Sequence, residues 1–326
     1  STHDFTKIFI ESKNIINKKK SLMNTLISPQ DFTKTTSLLR SFFSDHRGFL
    51  EVHTQNRLSI LAACEDPTTV STYDYSGEVW PLPQTGQMWL EYELLNDPTL
   101  PGVFCVSTSY RQEQNPIEGR HDLIFPMFEF ECTGDFQDLL KLESDLLTFL
   151  GFENTQHVPY ENTKFPGGRY MDIVNRFQGR DQELTDWHEK WMYDTYGDAF
   201  FLTHFPFHTS PFWNMKTSTD TWNVGNPDSM IPQKVTGDIA MKCDVIMGGM
   251  ETIGSAERSS DTEKMREMFH TISDGMYADL LFKLFGKDRV EKELDEFLSY
   301  DFFPRFGGGI GITRLISALN KCGVAK

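Results

Sequence analysis

The stretch YRQEQNPIEGRHDLIFPMFEFEC, residues 110–132, decides how this chain folds. It continues an apolar run at 103–109, crosses a turn-rich loop at 111–122 and returns as a second apolar run at 124–132. Two strand-like runs joined through Asn, Pro and Gly predict an antiparallel hairpin with a long loop at its tip. Strands paired by hairpins, without βαβ alternation, predict an α+β fold: an antiparallel sheet flanked by helices.

The segments after this hairpin supply the remaining predicted elements. Residues 136–150 carry a helical apolar stripe, and 199–207 form a run typical of a buried strand. A strand pair is predicted over 243–258 and a long helix over 260–285. The glycines at 307–311 predict a turn that leads into a last helix. They lack the G-x-G-x-x-G order of a dinucleotide site, which disfavours a doubly wound nucleotide fold.

The chain divides, on this interpretation, into two parts. Residues 1–34 form a predicted N-terminal helical extension, with apolar residues spaced for docking. Residues 35–326 form one domain that contains a polar, aromatic-rich helical insertion at 152–195. No internal repeat or low-complexity linker interrupts the sequence.

Composition restricts the classes of partner. The net charge is −16, from 47 acidic and 31 basic residues, and the dense basic cluster is confined to Lys18–Lys20. Nucleic-acid binders need a positive face, so a tRNA partner is allowed but not favoured. No apolar run is long enough to predict a membrane span. The five scattered cysteines offer neither a zinc motif nor a disulfide framework, which predicts a reducing, cytoplasmic location.

The hairpin also carries a combination of side chains suited to a nucleotide. Arg111, Arg120 and His121 supply positive charge, Phe125 a flat apolar face and Glu113 a hydrogen-bonding group. A nucleoside triphosphate needs all three. Taken alone, however, a surface ion pair and a core phenylalanine would explain these residues equally well.

A resemblance to a known family sharpens this interpretation. The hairpin at 110–131 resembles the second motif of the class II aminoacyl-tRNA synthetases, in their aspartyl/asparaginyl branch. LLRSFFSDHRGFLEVHT, residues 38–54, resembles the first motif, which makes the dimer interface. FGGGIGITRL, residues 306–315, resembles the third. The likeness covers roughly residues 35–320 and implies the class II catalytic fold, a homodimer and ATP as cosubstrate.

The resemblance implies roles for the hairpin residues. Arg111 would bind the ATP α-phosphate and the carboxylate that attacks it, and Arg314 would hold the phosphate tail; these two are the implied catalytic residues. Glu113 would read the adenine amino group, and Phe125 would stack on one face of the base. Such a site accelerates transfer by electrostatic clamping of the displacement at phosphorus.

The phosphate tail and its metal have implied ligands of their own. Arg120 and His121 would meet the β- and γ-phosphates. Asp244 and Glu251, seven positions apart, resemble the family's Mg²⁺ ligands. Carboxylates that reach phosphates through a hard cation are the usual arrangement for ATP.

Three residues are implied to bind the amino-acid substrate. Arg258 matches an arginine that meets the far end of the substrate, a carboxylate or an amide. Glu65 would bind the α-ammonium group, assisted by Gln84. QTGQMWLE, residues 84–91, resembles the asparaginyl form of this stretch, since the aspartyl form has a lysine where this chain has Leu90.

The sequence departs from the family pattern in several places. Gln55 replaces the proline that ends the first motif, which weakens the dimer prediction. Ile124 stands where a Glu usually precedes the stacking Phe. The third motif is closer to the version in ammonia-dependent asparagine synthetase A than to the tRNA-charging one.

These features lead to one preferred function and two alternatives. The preferred one is an ammonia-dependent asparagine synthetase-like amide ligase. The acidic charge supports it, and only about 35 residues precede the core, whereas an anticodon-binding barrel needs about a hundred. The first alternative is an asparaginyl-tRNA-synthetase-like enzyme that aminoacylates tRNA or another acceptor. The second is a non-catalytic ATP-binding paralogue.

Overall fold

The computed structural model describes residues 27–63, 67–117, 120–154, 156–177, 183–224 and 233–324. The predicted docking helix near the N-terminus and Glu65 lie outside these ranges. None of the helices in the described ranges is long and apolar enough to cross a membrane.

The strands, in chain order, are β1 (Leu50–Glu51), β2 (Thr72–Tyr75), β3 (Glu78–Pro81), β4 (Val103–Tyr110), β5 (Ile124–Thr133), β6 (Gly167–Arg169), β7 (Ala199–Pro206), β8 (Thr217–Val224), β9 (Gln233–Met247), β10 (Met250–Arg258) and β11 (Arg305–Gly311). One sheet has the order β1-β4-β5-β11-β10-β9-β7-β6, with β8 paired to β9. β2 and β3 form a separate hairpin.

The helices are α1 (Pro29–Arg40), α2 (Gln87–Asn96), α3 (Phe136–Leu150), α4 (Tyr170–Arg176), α5 (Asp186–Tyr196), α6 (Thr262–Thr271), α7 (Met276–Phe285), α8 (Lys287–Leu298) and α9 (Ile312–Lys321). The proposed boundary between residues 34 and 35 falls inside α1. The predicted insertion at 152–195 holds β6, α4 and most of α5. The division of the chain into an extension and a domain stays a prediction.

The hairpin prediction is confirmed. β4 and β5 pair antiparallel, with Val103 opposite Glu131 and Ser109 opposite Phe125. The predicted α+β class is also confirmed, because the central strands are antiparallel and helices flank them. Only the outer pairs β1–β4 and β6–β7 run parallel among the described strands.

Strand β5 separates the core from the functional side of the sheet. Phe128 and Phe130 are fully buried in a core that includes α3. Glu129 and Glu131, in the alternate positions, point to the other face because successive side chains of a strand alternate. α3 begins at a capping box on Asp135 and ends at Gly151 in the left-handed conformation.

The glycine-rich segment is a strand, not the predicted turn. β11 pairs with β5 on one side and β10 on the other, and Gly307 lies opposite Glu131. A Cβ atom on Gly307 would lie 2.0 Å from the Cδ atom of Glu131. The glycine is therefore needed for close approach: it leaves the space that the Glu131 carboxyl group fills.

The predicted long helix at 260–285 is broken. α6 and α7 are separated by Ile272–Gly275, in which Ser273 and Asp274 have φ angles of 54° and 55°. Left-handed residues cannot continue an α-helix, so the chain reverses here and α7 packs against α6.

Candidate functional site

A cleft of about 1320 Å³ opens on the face of the sheet opposite α3. Its walls include these predicted site residues: Gln84, Arg111, Glu113, Arg120, His121, Phe125, Glu251, Arg258 and Arg314. Asp244 lines an adjoining pocket of about 340 Å³ that shares Glu251 and Lys242 with the cleft. Glu65 lies outside the described residues.

At the nucleotide end, Arg111 directly follows β4 and Phe125 is the second residue of β5. The guanidinium carbon of Arg111 is 5.7 Å from the centroid of the Phe125 ring. The backbone N–H of Arg111 donates to the carbonyl of Leu123 over 2.8 Å, which fixes where the loop leaves the sheet. Glu113 follows on the same wall. A cation beside a half-buried ring suits a stacked base with its phosphate close by.

Arg314 connects the third motif to the second. It is the third residue of α9, and its Nη1 donates to the carbonyl oxygen of Glu251 over 2.8 Å. Its Nη2 donates to the carbonyl oxygen of Arg120 over 3.4 Å. Arg314 is therefore bonded to the backbone beside two other predicted site residues, and both arginines line the cleft where phosphates would need cations.

A residue that the sequence analysis did not select, Glu189 of α5, lies in this group. Its carboxylate forms a two-point ion pair with Arg120, at 2.7 and 3.2 Å, and accepts the backbone N–H of Glu251 over 2.9 Å. Its side chain is 13% exposed. The Glu189 carboxylate thus occupies a guanidinium fork of the kind that binds phosphate.

Asp244 and Glu251 face a common space, as the predicted metal pair requires. A Cβ atom on Gly254 would lie 3.2 Å from Glu251 Oε1 and 3.7 Å from Asp244 Oδ1. Asp244 Oδ1 is buried and has no hydrogen-bond partner among the residues that the structure describes, while Lys242 holds Oδ2 at 2.9 Å. Burial raises the pKa of Asp244 to about 7, since Lys242 offsets only part of the burial cost and Glu251 adds negative charge.

This donor set fits Mg²⁺ bound together with phosphates. Hard oxygen ligands suit the ion, and Mg²⁺ commonly takes one or two carboxylates plus substrate phosphates. Within the described ranges, no three His, Cys, Asp or Glu side chains form a metal-binding group by themselves. The phosphates and water would have to complete the coordination shell.

At the inner end of the cleft, Arg258 is tied to a carboxylate. Its Nη2 and Nε donate to Glu131 Oε1 over 2.5 and 3.1 Å, and both side chains are at most 4% exposed. Burial raises the pKa of Glu131 to about 7, against the attraction of Arg258. Arg258 at the cleft floor is therefore already paired with a carboxyl group of the protein itself.

The floor is continued by the start of α2. Gln84 is 2% exposed and donates to Thr69 Oγ1 over 2.9 Å. Glu129 accepts hydrogen bonds from the hydroxyl groups of Thr85 and Ser107. It also accepts one from the backbone N–H of Gly86 over 2.6 Å. These bonds fix the TGQ turn against β5.

Leu90 brings no charge to this floor. It is fully buried and packs with Leu94, Val103 and Cys105. The lysine of the aspartyl form is thus replaced by an apolar core contact.

Some of the residues that the sequence analysis missed had a local signal. Lys242 lies two positions from Asp244 on the same strand, and Glu131 alternates with Phe130 beside a glycine strand. Period two alone places both on the cleft face. Glu189 had no such signal, because it comes from a helix in the insertion.

The sequence of this chain is similar to those of known proteins. The chain matches tRNA synthetases class II (D, K and N) over residues 14–322. The cytoplasmic asparagine–tRNA ligase of Mus musculus is 26% identical over 262 residues, which cover 72% of this chain and 43% of the relative. The asparagine–tRNA ligase of Pelotomaculum thermopropionicum is 24% identical over 286 residues, or 80% and 58%. This chain spans about half the length of these relatives.

Solved structures agree on the fold. Asparaginyl-tRNA synthetase from Pyrococcus horikoshii, complexed with asparaginyl-adenylate, superposes with a TM-score of 0.63 at 20% identity, covering 93% of this chain and 66% of that one. The Entamoeba histolytica enzyme, in complex with asparaginyl-adenylate, gives 0.64 at 19%, covering 96% and 67%. The predicted class II catalytic fold is confirmed, and the chain belongs to the family of tRNA synthetases class II (D, K and N).

Proposed function

We propose that this protein activates asparagine with ATP, forming asparaginyl-adenylate and releasing pyrophosphate. One observation carries the choice of asparagine: the Arg258 guanidinium at the cleft floor is already paired with Glu131. A substrate carboxylate placed there would meet Glu131 as well as Arg258. A neutral amide can instead accept a hydrogen bond from the arginine and donate one to the glutamate.

The surroundings of Arg258 support the same choice. Leu90 supplies no second cation, and Glu129 is a further carboxylate on the same face of β5. Desolvated groups that fit one side chain and leave another unpaired discriminate strongly between close analogues. Aspartate is therefore the disfavoured competitor.

The nucleotide end of the cleft, hereafter the rim, would perform the transfer. The α-carboxylate oxygen of the amino acid attacks the α-phosphorus, the bond from that phosphorus to the β-phosphate oxygen breaks, and pyrophosphate leaves. Arg111 would stabilise the charge that builds on the α-phosphate oxygens, with the base stacked on Phe125 and its edge read by Glu113. Arg314, with Arg120 and His121, would hold the departing phosphates.

Mg²⁺ is the proposed metal cofactor. Asp244 and Glu251 would hold it, and the bound ion would neutralise phosphate charge. Lys242 keeps Asp244 in place at 2.9 Å from the other side.

The proposed acceptor is tRNA, because the relatives reported above are asparagine–tRNA ligases. These comparisons favour the asparaginyl alternative over the amide ligase preferred from sequence. The amide ligase stays as second candidate, supported by the GGGIGITRL version of the third motif. The homodimer through residues 38–54 and the cytoplasmic location also stay proposals.

ATP–pyrophosphate exchange with each standard amino acid tests the proposal. Exchange stimulated by asparagine, followed by transfer of labelled asparagine to tRNA, is the expected result. Exchange with aspartate alone, with ammonia-dependent formation of free asparagine, would establish the amide ligase instead. A folded protein that binds ATP without any exchange would identify a non-catalytic paralogue.

A further inference from the structure

Beneath the cleft floor lies a second ion pair that contributes no atom to the nucleotide end. Glu91 of α2 and Arg305 of β11 are both fully buried. Arg305 Nη2 and Nε donate to Glu91 Oε2 over 2.7 and 3.1 Å, and Arg305 Nη1 donates to the carbonyl of Ser259 over 3.0 Å. The two residues are 214 positions apart.

The other oxygen of Glu91 is also fully used. Oε1 accepts from Gln87 Nε2 and Asn214 Nδ2, each over 2.6 Å. Gln87 lines the cleft, one turn of α2 before Glu91. The carboxylate therefore receives four donors, as many as its lone pairs readily accommodate.

Arg258 lies between this saturated carboxylate and Glu131. Its Nη2 is 2.5 Å from Glu131 Oε1, whereas its Nε is 4.0 Å from Glu91 Oε1. Two buried carboxylates compete for one guanidinium, and Coulomb attraction alone would draw it towards either. Because Arg305 compensates Glu91, the fork of Arg258 is left to Glu131 at the substrate side.

We propose that Glu91 and Arg305 are a positioning pair that keeps Arg258 on Glu131 and Gln87 on the cleft wall, and so set recognition of the substrate side chain. The inference rests on the proposed function, in which Arg258 and Glu131 read that side chain. Neither Glu91 nor Arg305 lines the cleft themselves.

The ionisation of the two carboxylates agrees with this arrangement. Burial alone would raise the pKa of Glu91, yet that pKa is lowered, because the charges of Arg305 and Arg258 and the hydrogen bonds from Gln87 and Arg305 together outweigh burial. The pKa of Glu131 is raised by burial despite Arg258. Glu91 is thus the charge that Arg305 must hold if Arg258 is to stay with Glu131.

Three variants test the pair by pyrophosphate exchange: Arg305→Gln, Arg305→Lys and the double Glu91→Gln/Arg305→Gln. Arg305→Gln uncovers the Glu91 charge, so Arg258 turns away from Glu131. We expect KM for the amino acid to rise about tenfold or more, with KM for ATP within about twofold. The double variant removes both charges and should bring the amino-acid KM back close to wild type.

Melting curves show which variants fold. If Arg305→Gln does not, Arg305→Lys carries the test: it keeps the charge, loses the fork, and should raise the amino-acid KM about threefold or more. An unchanged amino-acid KM in a folded single variant would overturn the proposal. A double variant as impaired as Arg305→Gln would also overturn it, since it would make the pair merely structural.

The constants are measured with whichever amino acid the wild-type protein activates. A wild type that prefers another amino acid contradicts the asparagine proposal but still tests the pair. If exchange is absent with every amino acid, the same KM comparison is replaced by Kd for asparagine from calorimetry, with the same expected order of variants. Failure of the function and failure of the positioning role therefore give different results.

Discussion

The two ends of the cleft hold their arginines in different ways. At the rim, Arg120 and Arg314 are 19% and 30% exposed, and their partners include backbone carbonyls and a glutamate from a different helix. At the floor Arg258, and beneath it Arg305, are at most 4% exposed, and each is bound by a buried carboxylate. The rim can exchange its partners for phosphates, whereas the floor cannot move without leaving a charge unpaired.

This difference matches the tasks proposed for the two ends. Phosphates carry their own charge and can displace a partly exposed carboxylate such as Glu189. A neutral amide cannot, so the groups that read it must already be in place. The rim should therefore control transfer and nucleotide affinity, and the floor amino-acid affinity.

The largest effect is expected at the rim. Arg111→Ala should lower the exchange rate by about 10²–10³, because an arginine aimed at developing phosphate charge contributes roughly 3–4 kcal/mol. ATP–pyrophosphate exchange at saturating ATP and amino acid measures the rates of the variant and the wild type. Arg266→Ala, on the outer face of α6 and paired with Asp295, is the matched control and should leave the rate unchanged. A rate within a few-fold of wild type would remove Arg111 from the transfer step.

Arg258→Leu tests the floor directly. It should raise KM for the amino acid by about 10–100-fold, since a charged hydrogen bond to the substrate is lost, with little change in KM for ATP. Both constants come from the same exchange assay. Equal effects on the two would place Arg258 with the nucleotide and abolish the contrast between the ends.

Gly307→Ala should disturb the Glu131–Arg258 pair at the cleft floor without changing a charge. The new Cβ would lie 2.0 Å from the carboxyl carbon of Glu131, so Glu131 must shift away from Arg258. We expect a roughly tenfold increase in amino-acid KM, with the ATP constant preserved. The control is Gly168→Ala, where a Cβ meets Ile173 at an ordinary 3.4 Å. Identical behaviour of the two variants would contradict the role of Gly307.

Glu189→Gln tests whether the rim exchanges partners. Freed of this carboxylate, Arg120 should bind phosphate without competition, and KM for ATP should fall by about two- to fivefold. Glu183→Gln, an exposed residue of the adjoining pocket, serves as control. A rise in the ATP constant would show instead that Glu189 holds Arg120 in its active position.

Glu143→Gln extends the comparison to the core side of the sheet. Burial raises the pKa of Glu143 to about 8, and its neighbours Ser255 and Cys243 offset only part of that shift. The folded state keeps this proton while the unfolded state loses it near pH 4.5, so stability falls as pH rises from about 4.5 to 8. Relative to the wild type, the free energy of unfolding of the variant should be about 1–3 kcal/mol higher at pH 8 and almost unchanged at pH 4. Thermal melting at the two pH values measures the difference. Exposed Glu93→Gln should show no such dependence.

Local patterns in the sequence determined a large part of the fold. The apolar runs at 103–109 and 124–132, joined through Asn, Pro and Gly, specified the β4–β5 hairpin, and the stripe at 136–150 with Gly151 specified α3. These features are predictable because burial of one face and the demand for a cap act within a few residues. Of the site residues chosen by resemblance, those in the described ranges lie around two adjoining pockets.

Only the tertiary structure decided which charges meet. The sequence suggested a turn at 307–311, and packing made it a strand because Glu131 needs the space above Gly307. It offered no reason to place Glu189 on Arg120, or Arg305 on Glu91 across 214 positions. Such pairs depend on how separate helices and strands pack together, and the spacing of residues along the chain does not show which of them come into contact. The sequence thus determined the chemical groups at the cleft, and the packing of α2, α5 and β11 determined their partners.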